Sequence, residues 1–138
     1  MKILYTAEAT STGEGRNGKV RSSDGVVDLV MATPVEMGGS GAGSNPEQLF
    51  AAGYAACFHS ALRLVARRAG ADVQGSEVTG RVGIGPTGTG GYGLAVTLRV
   101  ALPAVPADTA RALVEQAHQV CPYSNATRGN IEVALTVA

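Results

Sequence analysis

The chain predicts an α+β fold in the order β-β-β-α-β-β-α-β, and three observations carry that reading. Alternating segments come in runs, with single helical segments between the runs, which points to α+β rather than a wound parallel sheet. Turn dipeptides and glycine-rich stretches fall between alternating segments, where hairpins need them. One stretch, Leu49 to Phe58, carries no charge on any face. A helix that is apolar all round is a buried, central one. A length of 138 residues suits one domain, 1–138, with a real core.

Residues 2–10 alternate, with Ile3, Tyr5, Ala7 and Ala9 against Leu4, Thr6, Glu8 and Thr10, and read as the first strand. Asn17-Gly18 and Asp24-Gly25 are hairpin dipeptides flanking a short run at 19–22, and Val26, Val27, Leu29 and Val30 form a third strand. The opening is therefore a small antiparallel meander with Arg16 just before its first turn. A glycine-rich connector, 33–43, leads into the apolar helix. Ser44 or Asn45 suits the cap, Pro46 the first turn, and Glu47 the positive end of the dipole. Arg63, Arg67 and Arg68 gather before the closing Gly70.

Val78, Val82 and Ile84, then Leu94, Val96, Leu98 and Val100, mark two strands of a long hairpin turned by the glycine-rich run at 85–91. A second helix follows Pro103 and Pro106, with its stripe at Ala110, Leu113, Val114, Ala117 and Cys121. Cys121 falls on the inward face of the last turn, and Pro122 stops the helix. Ile131, Val133, Leu135 and Val137 form the last strand. Gly39 to Gly43 and Gly83-x-Gly85-x-x-Gly88 echo dinucleotide loops, but neither sits in a βαβ unit, so both are turn glycines.

Zero net charge with 16% charged residues gives no sign of a nucleic-acid surface, and no nucleic-acid partner is expected. The N-terminus shows no leader pattern, and the apolar run around Leu49 to Phe58 is too short to span a bilayer. The expectation is a cytoplasmic protein with no membrane partner. There, two cysteines are more often free or redox-active than a permanent staple. Hiding a wholly apolar helix in so small a chain calls for a second copy. Ala51, Ala52, Gly53, Ala55 and Ala56 would permit close approach, so a homodimer is expected.

Cys57 and Cys121 lie on the buried stripes of two helices and could face each other. As small core hydrophobes or as a redox pair, they fit their positions equally. Cys57-x-His59 with His118-x-x-Cys121 spells a Cys₂His₂ set, but helix residues two apart point about 200° apart. No metal is expected. Arg16 and Glu47, taken singly, are a residue at a turn and a carboxylate at a helix start.

Asn45 to Phe50 followed by Gly53-Tyr54-Ala55-Ala56-Cys57-Phe58-His59-Ser60-Ala61-Leu62 resembles the first cysteine motif of the Ohr/OsmC family. Val120-Cys121-Pro122-Tyr123-Ser124-Asn125-Ala126-Thr127-Arg128-Gly129-Asn130 resembles the second, and Arg16-Asn17-Gly18 matches the family's N-terminal arginine. The resemblance spans nearly the whole chain and is stronger to the organic hydroperoxide resistance (Ohr) branch. It implies two antiparallel sheets around central helices in an intertwined homodimer. It also implies a thiol peroxidase for alkyl or fatty-acid hydroperoxides, with no cofactor and with dihydrolipoamide or a lipoylated protein as reductant. Cys57 maps onto the peroxidatic cysteine, Cys121 onto the resolving one, and Arg16 and Glu47 onto the activating pair. His59 and His118 carry no role.

Leu49, Phe50, Phe58 and Met37 would give a bulky apolar substrate its surround. Glu47 and Cys57 stand about 15 Å apart along one helix and about 80° apart around it. The Glu47 serving each Cys57 is therefore expected from the other chain. The alternative is a non-catalytic dimer of the same fold that holds a small apolar ligand.

Overall fold

The first strand forms later than its alternation suggests. In the computed structural model, which describes all residues from Met1 to Ala138, pairing begins only at Ala9. The chain divides into two compact units, Met1–Leu49 and Phe50–Ala138.

In the first unit, β1 (Ala9–Thr12), β2 (Lys19–Ser22) and β3 (Asp28–Val30) form an antiparallel sheet in that order. Thr10 stands opposite Arg21, and Val20 opposite Leu29. Residues 1–8 have no regular structure, and Ile3, Leu4 and Tyr5 are exposed. Alternation fixes which side chains share a face, but a strand also needs a neighbour for its backbone. Here only the Glu8 carbonyl has one, the Ser23 N–H at 2.9 Å.

Both turns that the dipeptides mark are present. Gly15–Asn17 forms a single 3₁₀ turn before Gly18. A Cβ on Gly18 would lie 2.1 Å from the Thr12 carbonyl oxygen, so only glycine fits there. At the second turn, Gly25 has φ 75°. The Asp24 carboxylate accepts from the Val26 N–H and the Ser22 hydroxyl accepts from the Val27 N–H. Those bonds keep Val26 and Val27 in the turn, so the third strand is only Asp28–Val30.

The connector folds into a 3₁₀ turn at Val35–Met37 and leads to α1 (Pro46–Arg68). Of the two candidate caps, Asn45 is used. Its Oδ1 accepts from the Gln48 N–H at 2.8 Å, and Gln48 Oε1 accepts from the Asn45 N–H at 3.2 Å. This reciprocal box satisfies two helix-end donors.

The second unit holds the core. From α1, Tyr54, Phe58 and Leu62 are buried completely. They pack with Val96, Leu98 and Val100 of β5 (Tyr92–Ala101) and with Leu113, Val114 and Ala117 of α2 (Ala107–Val120). The hairpin of β4 (Glu77–Pro86) and β5 runs in full register from Glu77 opposite Ala101 to Pro86 opposite Tyr92. The last strand, β6 (Val133–Val137), pairs with β5 in parallel. This sheet is therefore mixed rather than wholly antiparallel, because the helical crossover returns the chain to the same end of the sheet.

Within one chain the apolar helix is not covered on every side: Ala52, Ala56, Ser60 and Arg63 form an exposed line along it. At 23 residues it also has the length and mean hydropathy of a membrane-crossing helix, although its opposite face packs into the core. One helical expectation is corrected, at Pro122, which ends α2 but also starts α3 (Pro122–Thr127). Proline's fixed φ suits the first position of a helix, and the residue before it is driven to extended geometry. Cys121, at φ −65° and ψ 123°, is thus the joint between two helices and not part of the last turn of α2.

One close approach yields a stability prediction. A Cβ at Gly80 of β4 would stand 2.7 Å from the Ala51 carbonyl oxygen of α1. Backbone cannot yield as a side-chain tip can, so Gly80→Ala should destabilise by about 1–3 kcal/mol. Urea unfolding would register this as a lower midpoint; an unchanged midpoint would contradict the close contact of strand and helix.

Candidate active site

The structure joins the four expected residues as two pairs, one in each unit. In the first unit, the loop after β1 carries Arg16 and the first turn of α1 carries Glu47. Arg16 Nη1 donates to Glu47 Oε2 at 2.9 Å and Nη2 to Oε1 at 2.6 Å. The guanidinium fork matches the carboxylate edge to edge, the strongest geometry such a pair adopts. Arg16 holds the Glu47 carboxyl below its ordinary range, against the opposing effect of burial. The depressed carboxylate contributes stability that is complete above the ordinary glutamate range. That contribution is lost as pH falls through the lowered value.

In the second unit, α1 presents Cys57 and the α2–α3 joint presents Cys121. Both thiols are free, and Cys121 is completely buried while Cys57 is partly so. The Cys57 and Cys121 sulfurs are within thiol hydrogen-bonding reach of each other at 3.6 Å. A disulfide is about 2.05 Å long, so the sulfurs are in contact but unbonded. Burial pushes the Cys57 thiol above its ordinary pKa; the backbone N–H of Tyr123 pulls it down, and Cys121 adds to the rise. Burial disfavours the thiolate, and a donor pointed at the sulfur favours it. The Tyr123 donor comes from the first turn of α3, which the sequence pattern did not reveal.

An aromatic cluster joins α1 to α3. Phe50, Tyr54 and Tyr123 form an edge-on cluster with centroids 5.6–6.1 Å apart. The Tyr123 ring lies over Gly53, where a Cβ would stand 2.9 Å from its hydroxyl. The histidines do not converge with the thiols as a ligand set. His59 Nε2 is 2.9 Å from the Ser76 hydroxyl, and His118 Nδ1 is 2.8 Å from the Ser124 hydroxyl. Burial, then the Arg128 charge, holds His118 below the ordinary imidazole value.

Two buried or half-buried thiols in contact across helices, on two small sheets with helices, define a small α+β dithiol protein. Residues 38–136 match the family model described as OsmC-like protein. An organic hydroperoxide resistance protein from Xanthomonas axonopodis pv. citri is 53% identical, over 99% of this chain and 96% of its own. The organic hydroperoxide resistance protein OhrA of Bacillus subtilis is 51% identical over 98% of this chain and 96% of its own. The crystal structure of an organic hydroperoxide resistance protein from Elizabethkingia anophelis superposes with a TM-score of 0.95. It is 54% identical, covering 100% of this chain and 99% of that one. The chain belongs to the OsmC family, in its organic hydroperoxide resistance branch.

Proposed function

We propose that this protein is a thiol peroxidase that reduces organic hydroperoxides to alcohols in oxidative-stress defence in the cytoplasm. The observation that carries the reading is the pair of free sulfurs 3.6 Å apart, with Cys121 wholly buried and Cys57 partly so. The naming of its relatives for organic hydroperoxide resistance supports the substrate class.

In this reading Cys57 reacts as the thiolate. Its sulfur attacks the terminal oxygen of the hydroperoxide, the O–O bond breaks, and the alkoxide takes a proton and leaves as the alcohol. Cys57 is left as a sulfenic acid. The Cys121 sulfur then displaces the hydroxyl, which leaves as water with the Cys121 proton, and the Cys57–Cys121 disulfide remains. A dithiol, of the dihydrolipoamide or lipoylated-protein type, reduces that disulfide by exchange. The role of Arg16 is to offset the burial that raises the Cys57 pKa and to donate to the peroxide oxygen as charge develops. Glu47 fixes the guanidinium and balances its charge.

The working form in this reading is an intertwined homodimer, with Glu47 of the partner subunit serving each Cys57. It is supported by the exposed line of Ala52 and Ala56 on an otherwise apolar helix, and by the exposed Ile3, Leu4 and Tyr5. The unbroken run of α1 from Pro46 to Arg68 agrees with it, since ten residues of helix rise about 15 Å. Light scattering at micromolar concentration should return twice the chain mass; a monomeric mass would contradict the dimer.

The test of the activity is turnover of cumene hydroperoxide with dihydrolipoamide. The expected result is sustained peroxide loss with stoichiometric alcohol. No turnover with both thiols intact and reduced would favour the non-catalytic dimer that holds a small apolar ligand.

A further inference from the structure

One hydroxyl joins the three elements that carry the sulfurs. Ser124 of α3 is completely buried, and its Oγ lies 2.9 Å from the Tyr54 hydroxyl of α1 and 2.8 Å from His118 Nδ1 of α2. Tyr54 is also completely buried, and its hydroxyl has a second partner in Thr127 Oγ1 at 3.1 Å. Thr127 in turn is within bonding distance of the Tyr123 and Ser124 carbonyls. Tyr54 is one turn before Cys57 on α1, His118 nearly one turn before Cys121, and Ser124 one turn after it.

Such a knot is not needed to fill the core. Alanine or phenylalanine would fill it without polar atoms, and buried polar groups cost stability unless every partner is in place. What a satisfied network supplies is a single geometry. That matters here because α3 has only six residues, too few to hold themselves as a helix. Its start fixes Cys121 directly, since the Asn125 N–H donates to the Cys121 carbonyl at 2.9 Å.

We propose that Ser124, held by Tyr54 and His118, is a positioning residue for the resolving step, keeping the Cys121 sulfur in line for Cys57. The proposal rests on the peroxidase reading above. In that step the S–O bond of the Cys57 sulfenic acid breaks as the S–S bond forms. The hydroxyl departs with the Cys121 proton as water, and no outside reductant is needed. The sulfurs have about 1.5 Å to close from 3.6 Å. Misplacing one reactant by about 1 Å slows such a step by up to about a hundredfold. The attack of Cys57 on peroxide does not use the Cys121 sulfur and is not slowed.

The test is single-turnover oxidation of Ser124→Ala and, as an isosteric second variant, Tyr54→Phe, with one equivalent of cumene hydroperoxide. Loss of free thiolate reports the first step; dimedone trapping and non-reducing mass analysis report the second. The expected result is a first step within about twofold of the parent and a sulfenic acid that persists about ten- to a hundredfold longer. A purely structural role would lower the reactive fraction and leave both rate constants unchanged. That outcome, or equal slowing of both steps, or an unchanged sulfenic lifetime in both variants, overturns the proposal. Failure of the parent protein itself to form either species would instead refute the peroxidase reading, and the positioning role with it.

Discussion

Cys57→Ser should abolish hydroperoxide turnover, while Cys121→Ser should consume about one equivalent per chain and then stall. The asymmetry follows from the order of the steps. A serine hydroxyl in place of the Cys57 thiol offers no thiolate, so no oxygen is transferred and no alcohol appears. With Cys121 absent, Cys57 still attacks, but its sulfenic acid has no neighbour with which to condense. At one equivalent of peroxide the sulfenic acid should persist; only a second equivalent would carry it to the sulfinic acid, which dithiols do not reverse. Stopped-flow peroxide loss with intact-mass analysis separates the two behaviours. Two equally inactive variants would assign both cysteines to the first step. Two equally active variants would reduce the thiols to packing, consistent with the high burial that free cysteine shows in general.

Arg16→Ala should lower kcat/KM by about a hundred- to a thousandfold and move the pH–rate curve to higher pH. Burial already raises the Cys57 pKa, so without an added cation only a small fraction is thiolate near neutral pH. The thiolate fraction grows as pH rises through that pKa. Removing a cation raises the pKa further, so the variant should regain rate only in more alkaline solution. Arg16→Lys should recover part of the shift, since it keeps the charge. It should not recover the full rate, because an ammonium cannot reproduce the paired bonds at 2.9 and 2.6 Å to Glu47. Rates of alkylation by iodoacetamide across pH measure the thiolate alone; an unmoved curve would remove Arg16 from the activation of Cys57.

The parts legible in the sequence are those with a periodic or chemical signature. The stripe at Ala110, Leu113, Val114 and Ala117 is the buried face of α2, and the inward residues of the long hairpin are those that alternation marks. Asn45, Pro46 and Glu47 announce the start of α1, and the two cysteines, which the helix stripes allow to face each other, are in contact. What failed to show itself depends on neighbours in space. Residues 2–8 alternate like a strand but meet almost no backbone partner. The parallel pairing of β6 is set by the direction of a crossover, not by its own alternation. Pro122 carries two meanings, stop and start, and only the geometry of Cys121 shows that both apply. The Tyr54–Ser124–His118 knot joins residues 70 positions apart at its widest, a separation no local pattern reports. Its one trace is a serine three residues after Cys121, on the same side of a short helix.

The central claim is that Cys57 and Cys121 form one redox pair. The direct measurement is mass spectrometry of the reduced protein after one equivalent of cumene hydroperoxide, with and without subsequent dihydrolipoamide. The account predicts loss of two hydrogen atoms within a single chain, a Cys57–Cys121 cross-linked peptide, and full reversal by the dithiol. An unchanged mass, or oxygen added to Cys57 with Cys121 still a free thiol, would contradict it.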